Sequence, residues 1–133
     1  MKKDRFSKYF LLLPLFVTCS IGNSYVIKSK LGGNYVLFVD KEQKEIYDSV
    51  YYSLGEGNFI ACIDAPVLGS KSDKNFITIK AKLVHSHKIV YYIIPLKDKI
   101  NKSPDLNKYG PLENKSFNRL CRNLNISHDL IDL

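Results

Sequence analysis

Two histidines around one serine, His85-Ser86-His87, are the residues of this 133-residue chain best spaced for chemistry. On an extended strand, residues two apart share a face, so an H-x-H pair could present two imidazoles to Zn²⁺ or Cu²⁺, or set Ser86 beside a base. A working metal site needs a third and a fourth ligand, and the one other histidine is His128 in the tail; exposed turn histidines are the plainer reading. Glu56 and Asp64 could be imagined as paired carboxylates for acid–base work, yet both lie next to turn residues, where acids are ordinary solvated turn-formers. No G-x-S-x-G elbow is present, and Gly32-Gly33 and Gly55-x-Gly57 separate strand-like runs instead of leading into a helix, so neither cradles a phosphate. The expectation is a protein that is not an enzyme, with no catalytic residue, no metal site and no cofactor.

Tyrosine is the more useful clue. The chain has nine tyrosines and no tryptophan, with the pairs Tyr51-Tyr52 and Tyr91-Tyr92 inside strand-like runs. Neighbours on a strand point to opposite faces, so one member of each pair enters the core and the other turns outward unless a second layer covers it. Outward tyrosines offer a large contact area at low entropy cost, which makes Tyr51, Tyr52, Tyr91 and Tyr92 the candidate residues for binding a protein partner. The competing explanation is β-propensity and amphipathic packing.

The elements that must position these residues are written in strand language. Ser24–Lys30 reads as a strand, turned at Gly32-Gly33-Asn34 and answered by Tyr35–Val39. Ile46–Leu54 alternates loosely, Gly55-Glu56-Gly57-Asn58 turns the chain, and Phe59–Ile63 is a short apolar run ended by Asp64-Ala65-Pro66. Gly69–Asn75 reads as a loop; Phe76–Leu83 then alternates apolar residues with Thr78, Lys80 and Lys82, and Ile89–Ile94 returns after Ser86-His87-Lys88. Residues 97–113 read as irregular, and Phe117, Leu120, Cys121 and Leu124 recur at helical spacing behind a Ser116 cap. This pattern predicts an all-β fold, a small antiparallel β-sandwich of the immunoglobulin-like kind over residues 20–96. An extension over 97–133, an irregular tail with one short helix, packs on it.

The first residues define the compartment. Lys2, Lys3, Arg5 and Lys8 precede an apolar run from Tyr9 to Val17 and then Thr18-Cys19-Ser20, the charged, apolar, small-residue order of an export signal over residues 1–19. The run is about half of the roughly 20 residues a bilayer span needs, and Pro14 interrupts it. Two processing readings stand. Either Phe16-Val17-Thr18-Cys19 is a lipobox and Cys19 becomes a lipidated N-terminus anchored to the membrane, or an ordinary signal peptidase cuts after Ser20 or Gly22. Export leaves Cys62 and Cys121, and two cysteines in an oxidising compartment predict one disulfide, with buried free thiols as the alternative. Of the formal charge of +7, three units lie among Met1–Lys8, so the mature chain is near +4. Its lysines are interspersed with Asp, Glu and Asn, which argues against a nucleic-acid partner.

The order of features resembles the type VI secretion immunity periplasmic lipoproteins of enterobacteria. The resemblance rests on the signal ending at Cys19, the run Gly33-Asn34-Tyr35-Val36-Leu37-Phe38-Val39, the segment Cys62-Ile63-Asp64-Ala65-Pro66 and the lysine-edged strand Phe76–Leu83, and it covers residues 1–96. It implies a protein that binds a toxic effector in the periplasm and blocks it by occlusion. Members of that family carry a cysteine in the first apolar strand, where this chain has Leu37 and Phe38, which leaves Cys121 as the replacement partner of Cys62. An envelope structural or accessory lipoprotein without a toxin partner is the alternative function, and a secreted hydrolase a weaker third.

Overall fold

Clean alternation from Phe76 to Lys82 sets the phase of the molecule: Ile77, Ile79 and Ala81 are fully buried on one side, while Lys80 and Lys82 lie on the other. The computed structural model describes residues 24–96 and 103–133. Residues 1–23, which include the expected export signal and Cys19, and residues 97–102 lie outside the described residues.

Eight strands form two antiparallel four-stranded sheets. The first sheet contains β1 (Tyr25–Gly32), β2 (Tyr35–Asp40), β3 (Asp48–Gly55) and β4 (Asn58–Ile63); the second contains β5 (Val67–Ser72), β6 (Phe76–Lys82), β7 (Ile89–Pro95) and β8 (Tyr109–Leu112). Each sheet is a meander in chain order. The fold is therefore an all-β antiparallel sandwich, as the strand pattern predicts. Its strand order differs from that of an immunoglobulin domain, in which the chain crosses repeatedly between sheets. Here it crosses once among the strands, at Asp64–Pro66. Pro66 supplies no backbone donor for continuing β4, so the corner falls where the ladder stops.

Two segments depart from the sequence reading. Gly69–Asn75, read as a loop, supplies most of β5, which pairs with β6 from Val67↔Ala81 to Ser72↔Ile77. As an edge strand it needs only one partner, and edges tolerate the Gly, Ser and Lys that hide it in a propensity reading. Tyr109–Leu112, inside the segment read as irregular, becomes β8 by pairing with β7. Gly110 allows this approach: at φ 127° it has no side chain, and a Cβ there would lie 2.6 Å from the Tyr91 carbonyl oxygen and 2.7 Å from Tyr92 Cδ1.

The sandwich core lies between the sheets and joins Leu31, Tyr35, Val50, Cys62 and Ile63 to Ile77, Ile79, Val90, Tyr92 and Ile94. A second core lies on the outer side of the second sheet. There the helix α1 (Asn114–Asn123) inserts Phe117 and Cys121, both fully buried, against Ile93, and Ile126 and Leu130 complete the cluster. Ser116 does not cap this helix; it sits inside, and Glu113 occupies the cap position without a side-chain hydrogen bond. The buried Thr78 hydroxyl donates to the Leu130 carbonyl at 2.6 Å, tying the C-terminal turn to β6. Residues 114–133 are thus a third layer, Tyr109–Leu112 adds a strand to the sandwich, and the turn at Pro104–Leu106 packs against β4.

This layering corrects the predicted disulfide. Cys62 and Cys121 are both free thiols. Cys62 belongs to the core between the sheets and Cys121 to the core beneath the helix, so the second sheet stands between them. Sheet faces pack about 10 Å apart, and a disulfide spans less than 7 Å between Cα atoms.

Candidate functional site

The phase of each strand decides where the four candidate tyrosines go. On β3, Val50 and Tyr52 face inward, and Tyr52 packs edge-on against Tyr35 with ring centroids 4.9 Å apart. Tyr51, one residue earlier, faces outward on the first sheet. On β7, Tyr92 is buried in the sandwich core, while Tyr91 faces outward and is covered by the helix, its ring stacked on Phe117 at 4.6 Å and 20°. Of Tyr51, Tyr52, Tyr91 and Tyr92, only Tyr51 reaches an outer face that α1 leaves uncovered.

Tyr51 is not alone there. Its ring stacks on Phe38 at 4.0 Å and 20°; Tyr25 stacks on Phe38 at 5.1 Å and 14°; and Phe59 meets Phe38 at 5.1 Å and Tyr25 at 5.3 Å. Cross-strand register explains the cluster: Val36 lies opposite Tyr51 and Phe38 opposite Ser49, so alternate residues of β2 and β3 share the outer face. Phe38 lies at the centre and is only 5 % exposed, covered by the three partly exposed rings around it. Ile27, opposite Phe38 on β1, extends the apolar surface and is 44 % exposed. Sequence reasoning missed Tyr25, Phe38 and Phe59, although the signal was present. Both faces of β2 are apolar, as in a strand covered on two sides.

Beside this face, at one end of the sandwich, a cleft of about 420 Å³ is lined by Tyr47, Asp64, Ala65, Leu83, His85 and Tyr92, among others. The Tyr47 hydroxyl donates to Asp64 Oδ1 at 2.9 Å. Burial, that hydrogen bond and the Asp64 charge push the Tyr47 phenol up to about 12. The same carboxylate acts across the corner on Tyr51, whose phenol is raised by burial and by the charges of Asp64 and Asp40. Tyr47 immediately precedes β3 and Asp64 immediately follows β4, so the cleft lies at the end of the sheet that carries Tyr51. A shallower groove of about 600 Å³ adjoins the cleft along Tyr47, Val84 and His85 and reaches His87 and Lys44.

The histidines do not assemble a metal site. His85 and His87 are exposed on the β6–β7 turn, where His87 takes a left-handed conformation (φ 60°) and its backbone N–H donates to the Leu83 carbonyl. His128 lies in the C-terminal turn, beside a separate depression near Tyr91 and Asn118. Among the described residues, no group of three or more His, Cys, Asp or Glu side chains is placed to hold a metal ion. Glu56 occupies the tip of the β3–β4 turn at φ 55°, far along β3–β4 from the corner that carries Asp64, so the two carboxylates form no acid–base pair.

Cys62 is held as a thiol. Burial pushes it up to about 12, with Lys108 opposing and Asp105 adding to the effect, and its Sγ donates to the Pro104 carbonyl at 3.5 Å. A thiol so placed packs as a small hydrophobe. Compared with protein family models, with curated proteins and with solved structures, the chain matches none.

Proposed function

We propose that this chain is an exported, non-catalytic binding protein that recognises a protein partner through the outer face of its first sheet and acts by occlusion. Such a protein is an immunity protein against an effector delivered to the periplasm, anchored to the membrane where Cys19 is lipidated. The observation that carries the proposal is the aromatic cluster of Tyr25, Phe38, Tyr51 and Phe59 on the outer face of the first sheet, which α1 leaves uncovered. A sheet buried on one face normally turns polar residues outward on the other. Clustered rings rimmed by charge match the aromatic-rich, Lys-poor centre of a recognition surface.

Capture from envelope extract tests the proposal. The exported protein should retain one partner in stoichiometric yield, and Tyr51→Ala and Phe59→Ala should release it. Expressed alone in the periplasm, that partner should arrest growth, and co-expression of the wild-type chain should restore it. A retained partner with no toxicity would instead favour the accessory-lipoprotein reading, and capture indifferent to both substitutions would move the interface elsewhere.

A further inference from the structure

Tyr92 carries an unused polar group. It is 6 % exposed, its ring forms part of the wall of the Asp64 cleft, and its phenol makes no hydrogen bond to any described residue. A buried hydroxyl without a partner is rare and unfavourable, so its place in a cleft wall points to a ligand group that would satisfy it. The cleft offers three more features. Asp64 has one oxygen engaged by Tyr47 and the other without a hydrogen bond to any described residue. Tyr47 and Tyr92 present aromatic surface, and Ala65 and Leu83 present aliphatic surface.

We propose that the cleft receives an arginine side chain of the partner, an inference that rests on the first-sheet face being the interface. The aliphatic stem of an arginine fits Leu83 and Ala65, while its charge is met by Asp64 and by the tyrosine rings. A guanidinium holds five donors in one plane, so it can give hydrogen bonds to Asp64 and to the Tyr92 oxygen together; an ammonium on its flexible stem lacks that fork. A neutral or anionic group would leave the carboxylate unmatched. Tyr47 adjoins β3 and Asp64 adjoins β4 at the end of the sheet that carries Tyr51, so an arginine in the cleft would sit beside the aromatic contact and fix the orientation of the docked partner.

The test needs no partner. Arginine methyl ester titrated into the protein should move the amide resonances of Ala65, Leu83 and His85 saturably, and citrulline methyl ester, which keeps the shape and the α-ammonium but lacks the side-chain charge, should not. Asp64→Asn should weaken the arginine response about tenfold, and Tyr92→Phe should weaken it severalfold while leaving the melting temperature equal or higher, since it removes an unpaired buried hydroxyl. Equal responses to arginine and citrulline, tighter binding of lysine methyl ester, or an undiminished response in Asp64→Asn would overturn the proposal. Arginine binding that survives in a protein whose partner capture ignores Tyr51 would sink the interface reading alone; capture that depends on Tyr51 with no arginine response would sink the cleft alone.

Discussion

The rings of Tyr91 and Phe117 lie stacked, with centroids 4.6 Å apart and planes 20° from parallel, so the outward face of β7 is closed by the C-terminal helix. Tyr91 therefore belongs to packing. Phe117→Ala should lower unfolding free energy by about 3 to 5 kcal/mol and Tyr91→Ala by about 2 kcal/mol, measured by urea denaturation, with partner capture unchanged in whatever fraction stays folded. Loss of capture by Tyr91→Ala at unchanged stability would show that the helix leaves this ring available.

On β3 the expected pattern is reversed between neighbours. Tyr51→Ala should weaken partner binding by roughly 2 kcal/mol, about thirtyfold, and stability by only about 1 kcal/mol for the lost stack on Phe38. Tyr52→Ala, which empties a place beside Tyr35 in the sandwich core, should cost about 3 kcal/mol of stability and affect binding only through unfolding. Calorimetry of the purified pair, with melting curves for each variant, separates the two.

Cys62 and Cys121 should both be free and shielded. Mass spectrometry of the purified protein after non-reducing alkylation should find them unmodified in the native state and both alkylated once the protein is denatured. A mass two units lower, resistant to alkylation in denaturant, would restore the bridge and require the second sheet to open.

Gly110→Ala should destabilise by about 2 kcal/mol or more, because φ 127° suits glycine alone and the added methyl meets the Tyr91 backbone. Hydrogen exchange should show the loss first at β8 and the C-terminal end of β7. Uniform protection at wild-type levels would mean that β8 shifts without consequence.

Alkaline pH should loosen the corner around Asp64. The Tyr47 phenol ionises near 10.0 when unfolded and near 12 when folded, so above pH 10 the unfolded chain releases this proton first and stability falls as pH rises toward 12. Below pH 10 both states keep the proton and the contribution is complete. Asp64→Asn removes the neighbouring charge and should bring part of the near-ultraviolet phenolate absorbance to lower pH; an unchanged titration curve would mean that Asp64 does not act on Tyr47.

What the sequence determined by itself is the local grammar. Alternation at Phe76–Lys82, the Gly33-Asn34 and Glu56-Gly57 turns, and the helical spacing of Phe117 and Cys121 are short-range patterns, and each element stands where its pattern placed it. Strand phase also required that Tyr51 and Tyr52, like Tyr91 and Tyr92, point to opposite faces. Tertiary structure alone decided which of those faces stays open, because that depends on where a distant helix lands: α1 covers Tyr91 and leaves Tyr51. It also decided that Gly69–Ser72 and Tyr109–Leu112 are strands, since edge strands gain their order from hydrogen bonds to a neighbour instead of from their own propensity. Count and compartment alone pair Cys62 with Cys121. One β-sheet between them separates the thiols, and a layer order of that kind is set by packing of the whole chain and written in no local stretch of it.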